Sequence, residues 1–281
     1  MSLDPDDTRP AFQQVSSALR ADILTGKYAA GEQIPSGPEL MRRYEVAKAT
    51  VARALDVLRD EGLIVTRKGK GSFVRQRTER PVGLRPHLEA AFEGESVTID
   101  FSGFSSETLN GAMTEPLDKV RSGRLTPQKI SVRLLLPDTS VHMAVPVLVD
   151  ELRDDPALRS RAGQLAVTHA GGLKHSVEVL AELGLVQSAK VEIRFFKASA
   201  LFKLYVINGA EAFFGYYPLR QRKMVVEGEE KEFFDITGKD TTLFHYSASP
   251  DESSLGSQYV QQSQRWFDST WDSIAFQQAE A

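Results

Sequence analysis

The 281-residue chain contains no cysteine. Disulfide frameworks, thiolate catalysis, iron–sulfur clusters and cysteine-based zinc sites are thereby excluded. No apolar run approaches the roughly 20 residues that a membrane-spanning helix requires. Histidine is scarce: His87, His142, His169, His175 and His245 show no paired ligand spacing of the kind that marks a zinc helix. The opening segment Met1-Ser2-Leu3-Asp4-Pro5-Asp6-Asp7 is acidic and polar, unlike a secretory signal. The expectation is a cytoplasmic protein, not inserted in a membrane, that uses neither metal nor cofactor.

What is present suits a globular protein. Hydrophobic residues make up 41% and charged residues 26%, enough to give each of two domains a core and a solvated surface. Two domains are expected because a domain takes roughly 100–200 residues. The net charge of −4 is unevenly distributed. Residues 1–80 hold 14 Lys and Arg against 11 Asp and Glu, whereas the remainder holds 20 against 27. Six basic residues fall in 66–80 with Glu79 as the single acid, which is the electrostatic footprint of a nucleic-acid contact.

The N-terminal 80 residues read as helices followed by a hairpin. Phe12, Val15, Leu19 and Ile23 recur at helical spacing, and Gly26 offers a stop. Ser36-Gly37-Pro38-Glu39 reads as a helix start, with Ser36 as cap, Glu39 three residues on and Pro38 in the first turn. A short turn at Glu45-Val46-Ala47 leads to a second helix whose apolar stripe is Val51, Leu55 and Leu58. Its opposite face carries Lys48, Thr50 and Arg53, the arrangement by which a recognition helix reaches base edges and phosphates. Glu61-Gly62-Leu63-Ile64-Val65 starts a strand, Lys68-Gly69-Lys70-Gly71 makes a turn, and Phe73-Val74 begins the return. Each residue also has a plainer reading: Ser36 caps its helix, and Arg53 pairs with Asp56 or Glu61.

Four linked blocks carry a resemblance. They are Ile34-Pro35-Ser36, Val46 to Leu55, Gly62-Leu63-Ile64 and Arg67 to Val74. Together they resemble the winged helix-turn-helix DNA-binding domain of GntR-family bacterial transcription regulators, over about a quarter of the chain. The resemblance implies DNA contacts from Ser36, Lys48, Thr50, Arg53, Lys68, Lys70 and Gly71. It also implies a homodimer on a palindromic double-stranded operator, and a repressor relieved by a ligand. Several positions depart from the family. Ala47 stands where many members have a capping serine, Pro38 and Ala52 where arginines are common, and Lys48 for an arginine that could form a bidentate fork to guanine.

Residues 77–96, with Pro81, Gly83, Pro86 and Gly94, read as a linker holding a short helix near His87–Phe92. The expected division is therefore 9–76 for the winged helix, 77–96 for the linker and 97–281 for a C-terminal domain. In that last part, alternating strands at 97–101, 130–136, 191–195, 201–207 and 212–217 are interleaved with helical stretches at 105–121 and 154–183, the second loosened by Gly171-Gly172. A hairpin at 224–235 and a helix at 253–275 follow. The fold class is α/β overall, and the C-terminal domain is read as a sensor or dimerisation domain.

Leu201-Phe202-Lys203 through Asn208-Gly209, followed by Ala212 to Gly215, resembles a degenerate phospholipase D motif. That implies a phospholipase D-like sheet with flanking helices. Lys203 matches the motif lysine, Leu201 replaces the histidine nucleophile and Asn208 the aspartate. Leucine cannot attack phosphorus, so the resemblance implies no enzymatic activity and a cavity for a small anionic or phosphorylated effector, with Lys203, Asn208 and Ser102 as candidate contacts. Two alternatives stand beside this: an active phosphodiesterase fused to a DNA-targeting module, and a regulator controlled by a protein partner.

Overall fold

The computed structural model describes residues 7, 9–60, 63–67, 70–74, 83–238, 241–250 and 252–277. The chain divides into two compact units, 1–90 and 91–281. In the first, α1 (Ala11–Leu24), α2 (Gly37–Tyr44) and α3 (Lys48–Asp60) precede a hairpin of β1 (Ile64–Arg67) and β2 (Gly71–Val74). The helical spacing of α1 turns Val15, Leu19 and Ile23 into one core with Leu40 and Tyr44 of α2 and Val51, Ala54 and Leu58 of α3. Burial pushes the Tyr44 hydroxyl up to about 12. The hairpin is antiparallel, with Ile64 opposite Val74 and Arg67 opposite Gly71. A third segment joins it: Ile34 N–H donates to Ser72 O at 3.0 Å, and Val74 N–H to Glu32 O at 2.8 Å.

The helix α4 (Leu84–Phe92) covers the stretch in which a short helix is expected. Residues 75–82, which span the end of the expected winged helix and the start of the expected linker, lie outside the described residues.

The second unit begins with β3 (Ser96–Ser102), α5 (Glu107–Arg121), β4 (Lys129–Pro137), the short β5 (Val147–Leu148) and α6 (Pro156–Glu182). It continues with β6 (Ser188–Phe196), β7 (Phe202–Ile207), β8 (Glu211–Tyr216), β9 (Leu219–Val226), β10 (Glu229–Ile236), β11 (Phe244–Ser247) and α7 (Leu255–Ser273). Six strands form a mixed sheet in the order β11-β8-β7-β3-β4-β6. β3, β4 and β6 are parallel, joined through α5 and α6, while β7, β8 and β11 add on antiparallel. A second, three-stranded sheet has the order β5-β10-β9. α6 runs unbroken through Gly171-Gly172, so the expected loosening is absent; the buried stripe Leu158, Ala162, Ala166, Ala170, Leu173, Val177 and Leu180 carries it across the weak glycine pair. Likewise α5 continues through the buried Pro116.

One face of β4 presents Arg133 and Leu135 to α7. Leu135 packs with Phe267 and Trp271. Arg133 forks onto the carboxylate of its cross-strand partner Asp100, with both contacts 2.6 Å, and reaches Asp268 of α7 at 2.7 Å. Its guanidinium also lies 4.9 Å from the Phe267 ring centre. This ion network ties α7 to the sheet.

Candidate nucleic-acid interface

α2 begins where the sequence places it. Ser36 holds Glu39 through two hydrogen bonds to Oε2, 2.7 Å from its amide and 2.6 Å from its hydroxyl. These bonds hold the Glu39 carboxyl below its ordinary value. Arg43, near the end of α2, is committed to the fold: it donates to the Tyr28 hydroxyl at 2.7 Å and to Asp22 at 3.1 Å. The turn to α3 uses a left-handed residue, Glu45 at φ 55°, and Val46 N–H closes back onto Met41 O at 3.2 Å. α3 starts with a backbone acceptor alone. Ala47 O receives Thr50 N–H and Val51 N–H, and no hydroxyl stands at that position.

With Val51, Ala54 and Leu58 turned into the core, the exposed stripe of α3 is Lys48, Ala49, Ala52, Arg53 and Asp56. Thr50 is half-buried beside it. Lys48 and Thr50 make no side-chain hydrogen bond or ion pair among the described residues, so the ammonium at the start of the helix is available. Among the described residues Arg53 pairs with no helix acid; Glu61, the other expected partner, lies outside them. Its guanidinium lies 4.0 Å from the centre of the Phe12 ring of α1, a close cation–π contact. Asp56 is taken by Arg59 at 2.6 Å. Phe12 therefore acts on α3's outward face as well as in the core. Its position in the α1 stripe gave no sign of the first role.

The hairpin tip is built around Gly71. At φ +100° it occupies backbone space that L side chains rarely adopt, and a Cβ there would sit 2.5 Å from Gln33 Nε2. That same Nε2 donates to Lys70 O at 2.9 Å, pinning the tip to the segment before α2. The Lys70 side chain is exposed and makes no hydrogen bond or ion pair among the described residues. Arg67 lies over the Phe73 ring at 5.0 Å. Lys68 lies outside the described residues, as do Gly69 and the basic residues Arg75, Arg77 and Arg80. Ser36, Lys48, Arg53, Lys70 and Gly71 thus occupy the start of α2, the outward stripe of α3 and the wing tip of one compact unit.

The candidate effector residues lie in the second unit. Lys203, near the start of β7, is 2% exposed. Its ammonium donates to Gly238 O at 2.5 Å, and burial pushes it down to about 8. Ser102 is buried at the end of β3, opposite Leu204, so it shares one end of the sheet with Lys203. Asn208 is at the other end, roughly 16 Å along the strand at about 3.3 Å per residue. It sits in the β7–β8 turn at φ 52°, and its Oδ1 accepts Thr98 N–H at 2.8 Å while its own N–H donates to Thr98 O at 2.9 Å. Leu201 is 48% exposed just before β7.

Residues 11–74 match the family model described as bacterial regulatory proteins, gntR family. The match ends at Val74, the last residue of β2. Over 66 residues the chain is 36% identical to the probable fructoselysine utilization operon transcriptional repressor of Escherichia coli (strain K12), covering 24% of this chain and 27% of that protein. It is 34% identical over 97 residues to HTH-type transcriptional regulator Rv0792c of Mycobacterium tuberculosis (strain ATCC 25618 / H37Rv), covering 32% and 36%. It is 36% identical over 67 residues to the histidine utilization repressor of Klebsiella aerogenes, covering 24% and 28%. The chain therefore spans between 27% and 36% of the length of these curated relatives. A solved structure of the AraR DNA-binding domain in complex with operator ORX1 is 29% identical and covers 26% of this chain and 94% of that one, with a TM-score of 0.25. The N-terminal unit is a GntR-type winged helix DNA-binding domain. No helix among the described residues is long and apolar enough to cross a membrane.

Proposed function

We propose that this chain is a GntR-type transcription regulator, a cytoplasmic repressor that binds a palindromic operator as a homodimer and releases it when its α/β unit takes up a small anionic effector. The observation that carries the reading is the match of residues 11–74 to the gntR family on a unit whose α3 turns Lys48 and Arg53 outward. In the proposed complex α3 enters the major groove. Lys48, Thr50 and Arg53 face bases and phosphates, while Ser36, Lys68, Lys70 and Gly71 approach the backbone. A dimer is part of the proposal because one such module contacts too little DNA to be selective, and paired half-sites mirror two-fold symmetry.

The α/β unit is proposed to be a phospholipase D-like domain that no longer catalyses. Support comes from Lys203 and Asn208 at the two ends of β7 in a hairpin, with Leu201 where the resemblance calls for the histidine nucleophile. Placement of Lys203 and Ser102 at one end of the sheet supports an effector at that end; Asn208 is proposed to hold the β7–β8 turn. The test is selection of bound duplexes from a random DNA library, followed by titration of the enriched sequence at several salt concentrations. The reading expects an inverted repeat bound at least about a thousandfold more tightly than random duplex. Recovery of no preferred sequence would sink it.

A further inference from the structure

The α/β unit holds a cavity of about 290 Å³. Its polar wall is Ser105, Glu107, Arg161, Arg222, Asp235 and Thr237, and much of the rest is apolar, including Leu158 and Phe233. The volume is at the small end of the roughly 300–1,000 Å³ range of ligand pockets, so it suits a metabolite rather than a dinucleotide or a peptide. It opens just past the carboxyl end of β3, where α5 starts. There the sheet changes from parallel pairing with β4 to antiparallel pairing with β7. In open α/β sheets, ligands bind in the crevice outside the carboxyl ends of the strands.

The hydrogen-bonding groups of the cavity are only partly satisfied among the described residues. Asp235 is 9% exposed, and its Oδ1 accepts Ile236 N–H at 2.8 Å. Its Oδ2 has no donor within hydrogen-bond reach among the described residues; Arg222 Nε stands 3.8 Å away, too far for a hydrogen bond. Arg161 makes no hydrogen bond among the described residues, and its charge acts on Asp235 together with that of Arg222. Behind the wall, the Lys203 ammonium donates to the carbonyl of the lining residue Gly238. Neither guanidinium donates a hydrogen bond among the described residues, so both have donors left for a ligand. An anion between the guanidiniums would accept those hydrogen bonds. The open Asp235 oxygen asks in addition for a donor from the same molecule.

We propose that this cavity is the effector site and that it takes a small organic anion bearing a hydrogen-bond donor, its anionic group on Arg161 and Arg222 and its donor on Asp235. The proposal rests on the effector clause of the proposed function and shifts the direct contacts from Lys203 to the two arginines and Asp235.

The test is the thermal stability of the full chain with L-malate, L-glutamate or glycerol 3-phosphate. Succinate, glutarate and inorganic phosphate serve as partners without the carbon-borne donor. At least one of the first three should stabilise the protein more than its partner does, and carboxylate or phosphate as the favoured anion follows from which one. Arg161→Ala and Arg222→Ala should each weaken that response roughly tenfold to a hundredfold in apparent affinity. Asp235→Asn should narrow the gap between the ligand and its partner. Silence across all six compounds, or a response unchanged in both arginine variants, overturns the proposal. Operator binding measured on the same preparations separates the two readings. Retained DNA binding with silent anions removes the effector site alone, whereas loss of specific DNA binding in the wild type removes the regulator reading itself.

Discussion

Replacing Gly71 by alanine should damage the wing and leave the α/β unit untouched. The backbone at φ +100° accepts no side chain comfortably, and forcing an L residue into left-handed space costs about 1–2 kcal/mol. The new Cβ would fall 2.5 Å from Gln33 Nε2. That atom ends a flexible side chain and can swing away, but only by giving up its 2.9 Å hydrogen bond to Lys70 O, worth about 0.5–1.5 kcal/mol. A stiffer unfolded chain returns about 0.4–1 kcal/mol. The net loss is therefore about 0.5–3 kcal/mol, or roughly 2–24 °C in the melting of a domain this small. The assay must read the N-terminal unit selectively, and the sequence helps: both tryptophans, Trp266 and Trp271, lie in α7. Tryptophan fluorescence should show an unshifted transition, while amide exchange in residues 31–74 speeds up. Gln33→Ala, which removes only the hydrogen bond, should cost about 0.5–1.5 kcal/mol. Wild-type exchange rates in Gly71→Ala would refute the reasoning.

Three further outcomes are expected. Lys203 releases its proton at about 8 in the folded chain against about 10.4 unfolded, so the unfolded state binds more protons between those values and stability should rise with pH across that window, by no more than about 3 kcal/mol. Urea titrations at both ends should show this rise in the wild type and a flatter profile in Lys203→Met; identical profiles would contradict it. Asp100→Ala should lower the tryptophan-reported stability by about 2–3 kcal/mol, somewhat less than a fully buried pair would lose, because the Arg133 side chain is 27% exposed. An unchanged denaturant midpoint would show that Arg133 does not tie α7 to the sheet. Lys70→Ala should reduce the salt slope of DNA binding by about 1 and leave sequence preference intact; a changed preference would put the wing on bases instead of phosphates.

Elements with strong local periodicity were legible. The stripe Val15, Leu19 and Ile23, the Ser36–Glu39 helix start, and the alternation of Ile130, Val132 and Leu134 each commit one face to a core within a few residues. The short β5 and β11 were not legible, because two to four residues carry too little pattern to separate a sheet edge from a loop. Gly171-Gly172 suggested a break that the buried face of α6 overrides. In the interface, the outward face of α3 follows from its apolar stripe, but the partner of Arg53 does not. Sequence proximity favours Asp56, whereas packing of α1 on α3 delivers Phe12 from 41 positions earlier. The cavity was hidden for the same reason: Arg161, Arg222 and Asp235 come from α6, β9 and β10, and nothing short of the fold brings them together.

The central claim is that α3 reads DNA through Lys48 and Arg53. It is tested most directly by fluorescence anisotropy on the duplex enriched by selection, comparing the wild type with Lys48→Ala and Arg53→Ala. Each substitution should weaken binding by about 1–3 kcal/mol and narrow the gap to random duplex. Wild-type affinity and selectivity in both variants would contradict the account.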